Sequence, residues 1–266
     1  MKIAIIGTGN LGKSIAKGLI TNNAITTLYL TKRNLDDIQE FDGYKNVHLT
    51  TDNIEAVKQS DILIFAVQPV HFENILNDVK PYLIENHVLI STITGYLIPK
   101  IEDQVGIDKF IIRAMPNTAI AVGKSMTCMC SNEKGVKRIK IAEAIFNRLG
   151  HTLAIPESQM QAATVVCASG IAFWMRLIRA TTQAAIQLGF DAKEAQELAM
   201  HTSEGAANLL ITNGNHPEEE IDRVTTPMGC TITGLNHMEH KGLSSSLIQG
   251  MVASFNKINT IKEEQI

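Results

Sequence analysis

The first twelve residues constrain the chain most. The apolar run Ile3-Ala4-Ile5-Ile6 passes directly into Gly7-Thr8-Gly9-Asn10-Leu11-Gly12, after which Leu11, Ile15, Ala16, Leu19 and Ile20 recur at helical spacing. A G-x-G-x-x-G set between a strand and a helix is the fingerprint of a dinucleotide-binding βα turn. Gly7 permits the tight turn, Gly9 lets a pyrophosphate approach the backbone, and Gly12 allows the helix to pack closely on the sheet. The unpaired N–H groups at the helix start, Asn10 and Leu11 included, favour an anion there. A glycine-rich turn with no ligand is the plainer alternative. The strand–turn–helix context favours the binding site.

Further short apolar runs follow at Leu28–Leu30, Ile62–Val67, Val88–Ile93 and Phe110–Ala114. Their length and β-branched content suit strands buried on both faces of a parallel sheet. The alternation predicts right-handed crossovers in a doubly wound, mostly parallel α/β sheet. A strand is expected at Ser125–Cys130, then a helix around Glu133–Arg148 ended by Gly150 as its C′ residue. The character changes near Pro156. From Glu157 to about Asn213 Ala is frequent and no clear strand signal appears. Asp191 is a plausible N-cap after Gly189, Gly214-Asn215-His216-Pro217 reads as a turn, and helices are expected over about 232–241 and 243–261. The chain therefore divides into an α/β domain over 1–156 and an all-α domain over 157–266.

Composition narrows the function classes. Net charge is −3, aromatics are 5% and there is one Trp, so neither a bulk basic field nor stacking platforms point to nucleic acid. Cys128, Cys130, Cys167 and Cys230 form no C-x-x-C pair and read as reduced thiols, and the N-terminus carries no signal-peptide pattern, so a cytoplasmic protein is expected. The longest uncharged run lies between Glu157 and Arg176; its apolar part falls short of the roughly 18–20 residues of a membrane span, and no membrane partner is expected. His237 and His240 lack a well-placed carboxylate, so no metal site is expected.

Cofactor preference is read at the second strand. It ends Leu30-Thr31-Lys32-Arg33-Asn34, with no carboxylate to accept from a ribose hydroxyl. A basic, hydroxyl-bearing tip suits a 2′-phosphate held bidentately by Arg33, which favours NADPH over NADH. Gln68, before Pro69, is placed to line the crevice at the carboxyl end of a central strand, and Asn117 follows another. Towards the substrate, Pro227-Met228-Gly229-Cys230-Thr231 directly precedes a helix and could present N–H groups and the Thr231 hydroxyl to a carboxylate. A capped helix start is an equally good reading of that loop. Ser169-Gly170 lies inside the helical pattern Ala162–Thr182, where Gly costs about 1 kcal/mol relative to Ala and suggests close packing or ligand approach.

Taken together these residues resemble the pyrroline-5-carboxylate reductase family, over essentially the whole chain. The resemblance rests on Ile5–Gly12, Ala66-Val67-Gln68-Pro69, Arg113-Ala114-Met115-Pro116-Asn117-Thr118, Cys167-Ala168-Ser169-Gly170, and above all Asp222–Leu235, similar to the family's D-x-V-[TS]-[TS]-P-G-G-x-T loop. It implies an N-terminal Rossmann domain and a helical dimerisation domain whose helices interleave between subunits, with decamers in many members. It implies hydride transfer from NAD(P)H to the C=N carbon of pyrroline-5-carboxylate, giving L-proline. The substrate carboxylate would then lie on Gly229, Cys230 and Thr231, near Thr226, with Ser169 and Gly170 facing the same pocket and Thr231 and Ser169 as the catalytic hydroxyls. Gly7, Gly9, Asn10, Leu11, Gly12, Ala66, Val67, Gln68, Pro69 and Asn117 would hold the dinucleotide, Asn53 its adenosine ribose, and Arg33-Asn34 its 2′-phosphate.

The chain departs from that pattern at Gln68 (usually Lys), Ile171 (usually Pro), Met228 (usually Gly) and Cys230. If position 228 needs a positive φ, Met228 is strained there. Two other functions remain: reduction of a related cyclic imino acid, and a catalytically weak paralogue that binds dinucleotide as a sensor or scaffold. A hydroxyacid reductase would need a Lys acid in the helix after the boundary, and 160–182 contains none.

Overall fold

The computed structural model describes residues 1–22 and 26–264. It divides into two compact units, one formed by Met1–Ser169 with the stretch from Ser254, the other by Gly170–Ala253.

The first unit is an eight-stranded sheet in the order β3-β2-β1-β4-β5-β6-β7-β8. The strands are β1 Lys2–Ile6, β2 Thr27–Thr31, β3 Val47–Thr50, β4 Ile62–Phe65, β5 Val88–Ser91, β6 Phe110–Met115, β7 Ser125–Ser131 and β8 Gly150–Ala154. All neighbours run parallel except β6 and β7. The order reverses between β1 and β4, and this reversal opens a crevice at the carboxyl ends of the strands. Helices α1 Asn10–Thr21, α2 Asn53–Lys58, α3 Pro69–Val79, α4 Ile98–Val105 and α5 Ile139–Phe146 cover the faces.

The period-two pattern of the strands explains why both faces are dry. Ile3, Ile5, Leu28, Leu30, Ile64 and Ile90 point into one core with Ile15 and Leu19 of α1 and Ile145 and Phe146 of α5. Ala4, Ile6, Leu63, Phe65 and Leu89 point into the other, with Phe72 and Leu76 of α3 and Ile98 and Ile101 of α4. Arg113 of β6 is the largest fully buried side chain, 1% exposed; its Nη1 donates to Glu157 at 2.9 Å and its Nε has no partner. The same Glu157 oxygen accepts from the amide of Ile98, the first residue of α4, at 2.7 Å.

Beyond β8 the chain continues as α6 Met160–Ala163, a π-helical turn over Thr164–Ser169, and α7 Gly170–Gln187. The second unit holds α7, α8 Ala192–Asn213, α9 Pro217–Val224, α10 Cys230–His240 and the start of α11 Leu243–Glu264. Asp191 caps α8, accepting from the amides of Lys193 and Glu194. Large apolar side chains are left open in this unit, among them Trp174, Leu188 and Ile211 at 61%, 81% and 74% exposure.

Several expectations need correction. Gly150 does not end a helix: α5 stops at Phe146, and Gly150 opens β8, where a Cβ would collide with the Ser125 backbone. The expected helix over 133–148 is split into a 3-10 turn at Gly135–Arg138 and the shorter α5. Strands β3 and β8 and helix α9 were not anticipated. The expectation about membrane length is also revised: Glu157–Gln187 is a helical run long and apolar enough to cross a membrane by length and composition, and only 17% of its apolar window is buried. No other described run meets that test.

Candidate active site

A cleft of about 590 Å³ opens at the carboxyl ends of β1 and β4, where the strand order reverses. Its wall joins the fingerprint (Gly7, Thr8, Gly9), the tip of β2 (Thr31 to Asn34), the start of α2 (Asn53) and the end of β4 with its turn (Ala66, Val67, Gln68). Of the positions assigned to the cofactor, Gly7, Gly9, Arg33, Asn34, Asn53, Ala66, Val67 and Gln68 therefore meet in one place. Asn10, Leu11, Gly12 and Pro69 stand just behind, in the first turns of α1 and α3.

The fingerprint glycines differ in what surrounds them. Gly7 has φ +94°, and a Cβ there would strike Val67. A Cβ on Gly12 would press on the Gly7 carbonyl, whereas Gly9 has nothing within 4 Å of its would-be Cβ. Gly9 is the N-cap of α1 and offers no side chain to the first N–H groups, so these donors face open space. Thr31 holds the turn in place: its hydroxyl accepts from Gly7 N at 3.2 Å and its carbonyl from Thr8 N at 2.9 Å. Thr8 Oγ1 is wholly buried without a partner. A space that only a glycine leaves open, faced by uncapped amides, fits the pyrophosphate of a dinucleotide.

At the β2 tip the two cations are not equivalent. Lys32 pairs with Asp37 at 3.0 Å, while Arg33 makes no ion pair among the described residues. Asn34 uses its side chain to cap the following turn, accepting from Asp36 N. Asn117 is not part of the cleft wall. Its Oδ1 accepts from Ala119 N, and its Nδ2 donates to the Cys167 carbonyl at 3.0 Å, tying the end of β6 to the π-turn.

The π-turn is the feature sequence reasoning missed. Thr164–Ser169 carries it, so Ser169 sits at its end and Gly170 starts α7. Single π-turns inside helices occur frequently at functional sites. The only sequence signal was Gly170 in a helical pattern.

In the second unit, Thr226–Gly229 closes a turn by a 2.9 Å bond from Gly229 N to Thr226 O. Pro227 and Met228 occupy its centre, and Met228 has φ +59°, the one non-glycine in the left-handed region among the described residues. A Pro followed by a residue at positive φ is type II turn geometry, which favours Gly at the second position. The Met228 side chain is 99% exposed, so no contact within the described chain offsets the strain. Met228→Gly is expected to raise stability by about 0.5 kcal/mol. Relief of about 1–2 kcal/mol of left-handed strain outweighs the entropy glycine adds to the unfolded chain. A thermal midpoint lower than that of the parent would contradict this.

The turn delivers Gly229 as the N-cap of α10, again without a side-chain cap. Helix α10 thus begins at Cys230, two residues earlier than expected, and Thr231 lies inside its first turn instead of capping it. Thr231 is exposed, and its side chain has no hydrogen bond among the described residues. Uncapped amides beside a free hydroxyl suit a carboxylate. No group of His, Cys, Asp and Glu among the described residues could hold a metal ion.

Comparison with known proteins agrees with both halves of this arrangement. Residues 2–95 match the family described as NADP oxidoreductase, coenzyme F420-dependent, and residues 157–261 match pyrroline-5-carboxylate reductase dimerisation. Pyrroline-5-carboxylate reductase 1 of Dictyostelium discoideum is 43% identical over 96% of this chain, which spans about half (49%) of that protein's length. Pyrroline-5-carboxylate reductase 2 of the same organism is 39% identical over 96% of this chain and 91% of its own. The crystal structure of Plasmodium falciparum pyrroline carboxylate reductase with NADP bound superposes with a TM-score of 0.89 at 26% identity, covering 98% of each chain. With a relative this similar matched over nearly its full length, and a dimerisation segment that accounts for the open apolar helices, the chain belongs to the pyrroline-5-carboxylate reductase family.

Proposed function

We propose that this chain reduces 1-pyrroline-5-carboxylate to L-proline, with NADPH preferred over NADH. The observation that carries the reading is the presence on one chain of two anion cradles: the β1–α1 cleft with its unpaired Arg33, and the turn at Thr226–Gly229 leading into the uncapped start of α10. When bound, the reduced nicotinamide supplies the hydride. The protein's own part is positioning, since a protonated cyclic imine is already electrophilic. The amides of Asn10 and Leu11 hold the pyrophosphate, Arg33 the 2′-phosphate, and Asn53 the adenosine ribose. Gln68, neutral where the family usually has Lys, lines the cleft without adding charge. The amides of Cys230 and Thr231 and the Thr231 hydroxyl hold the substrate carboxylate, with Thr226 in the same turn; Ser169 and Gly170, where the π-turn meets α7, are further substrate-contacting residues.

The open apolar faces of Trp174, Leu188 and Ile211 support self-association through residues 157–266, as a dimer with interleaved helices and, at a further level, a decamer. Residues 1–156 form the cofactor domain, and the enzyme works in the cytoplasm.

The test is turnover: NADPH absorbance should fall when the protein meets pyrroline-5-carboxylate. Dinucleotide binding without turnover would instead support the sensor reading. Arg33→Ala should raise the KM for NADPH about tenfold or more and leave that for NADH nearly unchanged, because only the 2′-phosphate loses its charge-assisted bonds. Equal effects on both cofactors would remove Arg33 from the phosphate site.

A further inference from the structure

We propose that Cys128 and Cys167 are a site of oxidative modification, closing to an intrachain disulfide when the protein meets a hydroperoxide. The two thiols face each other across the first unit. Cys128 lies on β7 and Cys167 on the π-turn, with their Sγ atoms 3.8 Å apart. Both are free in the structure, and bond formation requires the sulfurs to approach to about 2.05 Å. Their surroundings assign the roles. Cys128 is 3% exposed, whereas Cys167 is only partly buried and is the thiol a small oxidant can reach. The hydrogen bond between the two thiols holds Cys167 below the usual thiol range, and that bond together with burial holds Cys128 above it. Cys167 is therefore the nucleophile and Cys128 the resolving thiol.

The chemistry balances. The Cys167 sulfur attacks one peroxide oxygen, the O–O bond breaks, and the departing hydroxide takes the thiol proton as water. Cys167 is left as the sulfenic acid. The Cys128 sulfur then attacks the Cys167 sulfur, an S–S bond forms, the S–O bond breaks, and the hydroxide leaves as a second water with the Cys128 proton. Two thiols lose two electrons and two protons, and the hydroperoxide takes up both.

Closure has a consequence for the site because of where Cys167 sits. Its carbonyl is the one held by Asn117 Nδ2, and Ser169 ends the same π-turn two residues on. Drawing Cys167 towards β7 moves that turn by an appreciable part of the gap between the sulfurs. A displacement of about 1 Å in a positioning element can change a rate about 100-fold. The β1–α1 cleft contains neither cysteine, so dinucleotide binding should persist. The functional half of this inference rests on the proposed reductase activity; the chemical half does not.

The experiment treats the full-length protein with a slight excess of hydrogen peroxide. It then maps non-reduced peptides and assays turnover and NADPH binding before and after dithiothreitol. The expected result is a Cys128–Cys167 bridged peptide lighter by two hydrogens, turnover reduced about tenfold or more, unchanged NADPH binding, and recovery on reduction. Cys128→Ser and, independently, Cys167→Ser should abolish the bridge and make turnover insensitive to peroxide. Absence of the bridged peptide, with Cys167 carried on to sulfinic acid or Cys230 oxidised alone, overturns the site. A bridge that leaves turnover unchanged overturns its effect on the site. A reduced protein that binds NADPH but never turns over refutes the reductase reading, while the peptide map still decides the disulfide.

Discussion

Glu157→Ala is expected to lower the unfolding free energy by about 3–4 kcal/mol. The pair it breaks is asymmetric. Arg113 is sealed in the sheet at 1% side-chain exposure, and Glu157 keeps 26%. Removing the carboxylate leaves an uncompensated guanidinium in the core, where its Nε already lacks a partner, and deprives the Ile98 amide at the start of α4 of its acceptor. Breaking a buried pair from one side typically costs about 3–5 kcal/mol. The opposite truncation should be milder. Arg113→Met removes the buried charge together with its orphaned Nε, fills similar volume, and leaves Glu157 to water and to Ile98 N, so a loss within about 1 kcal/mol is expected. Urea unfolding at one fixed protein concentration measures both, since self-association adds to the apparent stability. Equal losses from the two variants would mean that the ion pair itself is strongly net stabilising, contrary to the desolvation argument.

The contrast also marks where the sequence was legible. The strands read correctly, β1, β2, β4, β5, β6 and β7, are rich in buried residues, and most of them carry an apolar run of three or more side chains. The missed β3 and β8 are the two sheet edges. Val47–Thr50 and Gly150–Ala154 are half exposed and polar, and strands of that kind carry little hydrophobic signal. Helix α9 was missed although its signals were present: His216 as N-cap, Pro217 at the first position and Glu218, Glu219 and Glu220 in the first turn. The turn read at Gly214–Pro217 overlaps its start, and the segment after it, with only Ile221 and Val224 apolar, carries little helical period. The π-turn has no local code; one extra residue in a helical turn is set by what packs around Cys167 and Ser169. Asn117 shows the same limit at the level of a single side chain. Its position after β6 was readable, but its bond to the carbonyl of Cys167, fifty residues away, was not.

For the site, the pattern G-x-G-x-x-G predicts three glycines with three different tasks, and the structure turns this into a matched experiment. Gly7→Ala should destabilise the protein by more than about 3 kcal/mol, since the new methyl meets Val67 at a φ of +94°. Gly9→Ala should not. Its φ is −81°, a conformation alanine adopts freely, and nothing lies within 4 Å of the added methyl, so stability should hold or rise by about 0.5 kcal/mol. The methyl would nonetheless stand in the gap before the amides of Asn10 and Leu11, where the pyrophosphate has to approach. Dinucleotide affinity should therefore fall about 100-fold in Gly9→Ala, a loss near 2.7 kcal/mol, while its thermal midpoint without cofactor matches the parent. Calorimetric titration with NADPH alongside thermal unfolding separates the two effects. If Gly9→Ala binds NADPH as the parent does, the open space is only a surface gap and the phosphates lie elsewhere. If it binds weakly but also unfolds early, the methyl has disturbed the turn and the two tasks are not separable. Only loss of binding at unchanged stability assigns Gly9 to the ligand and Gly7 to the fold.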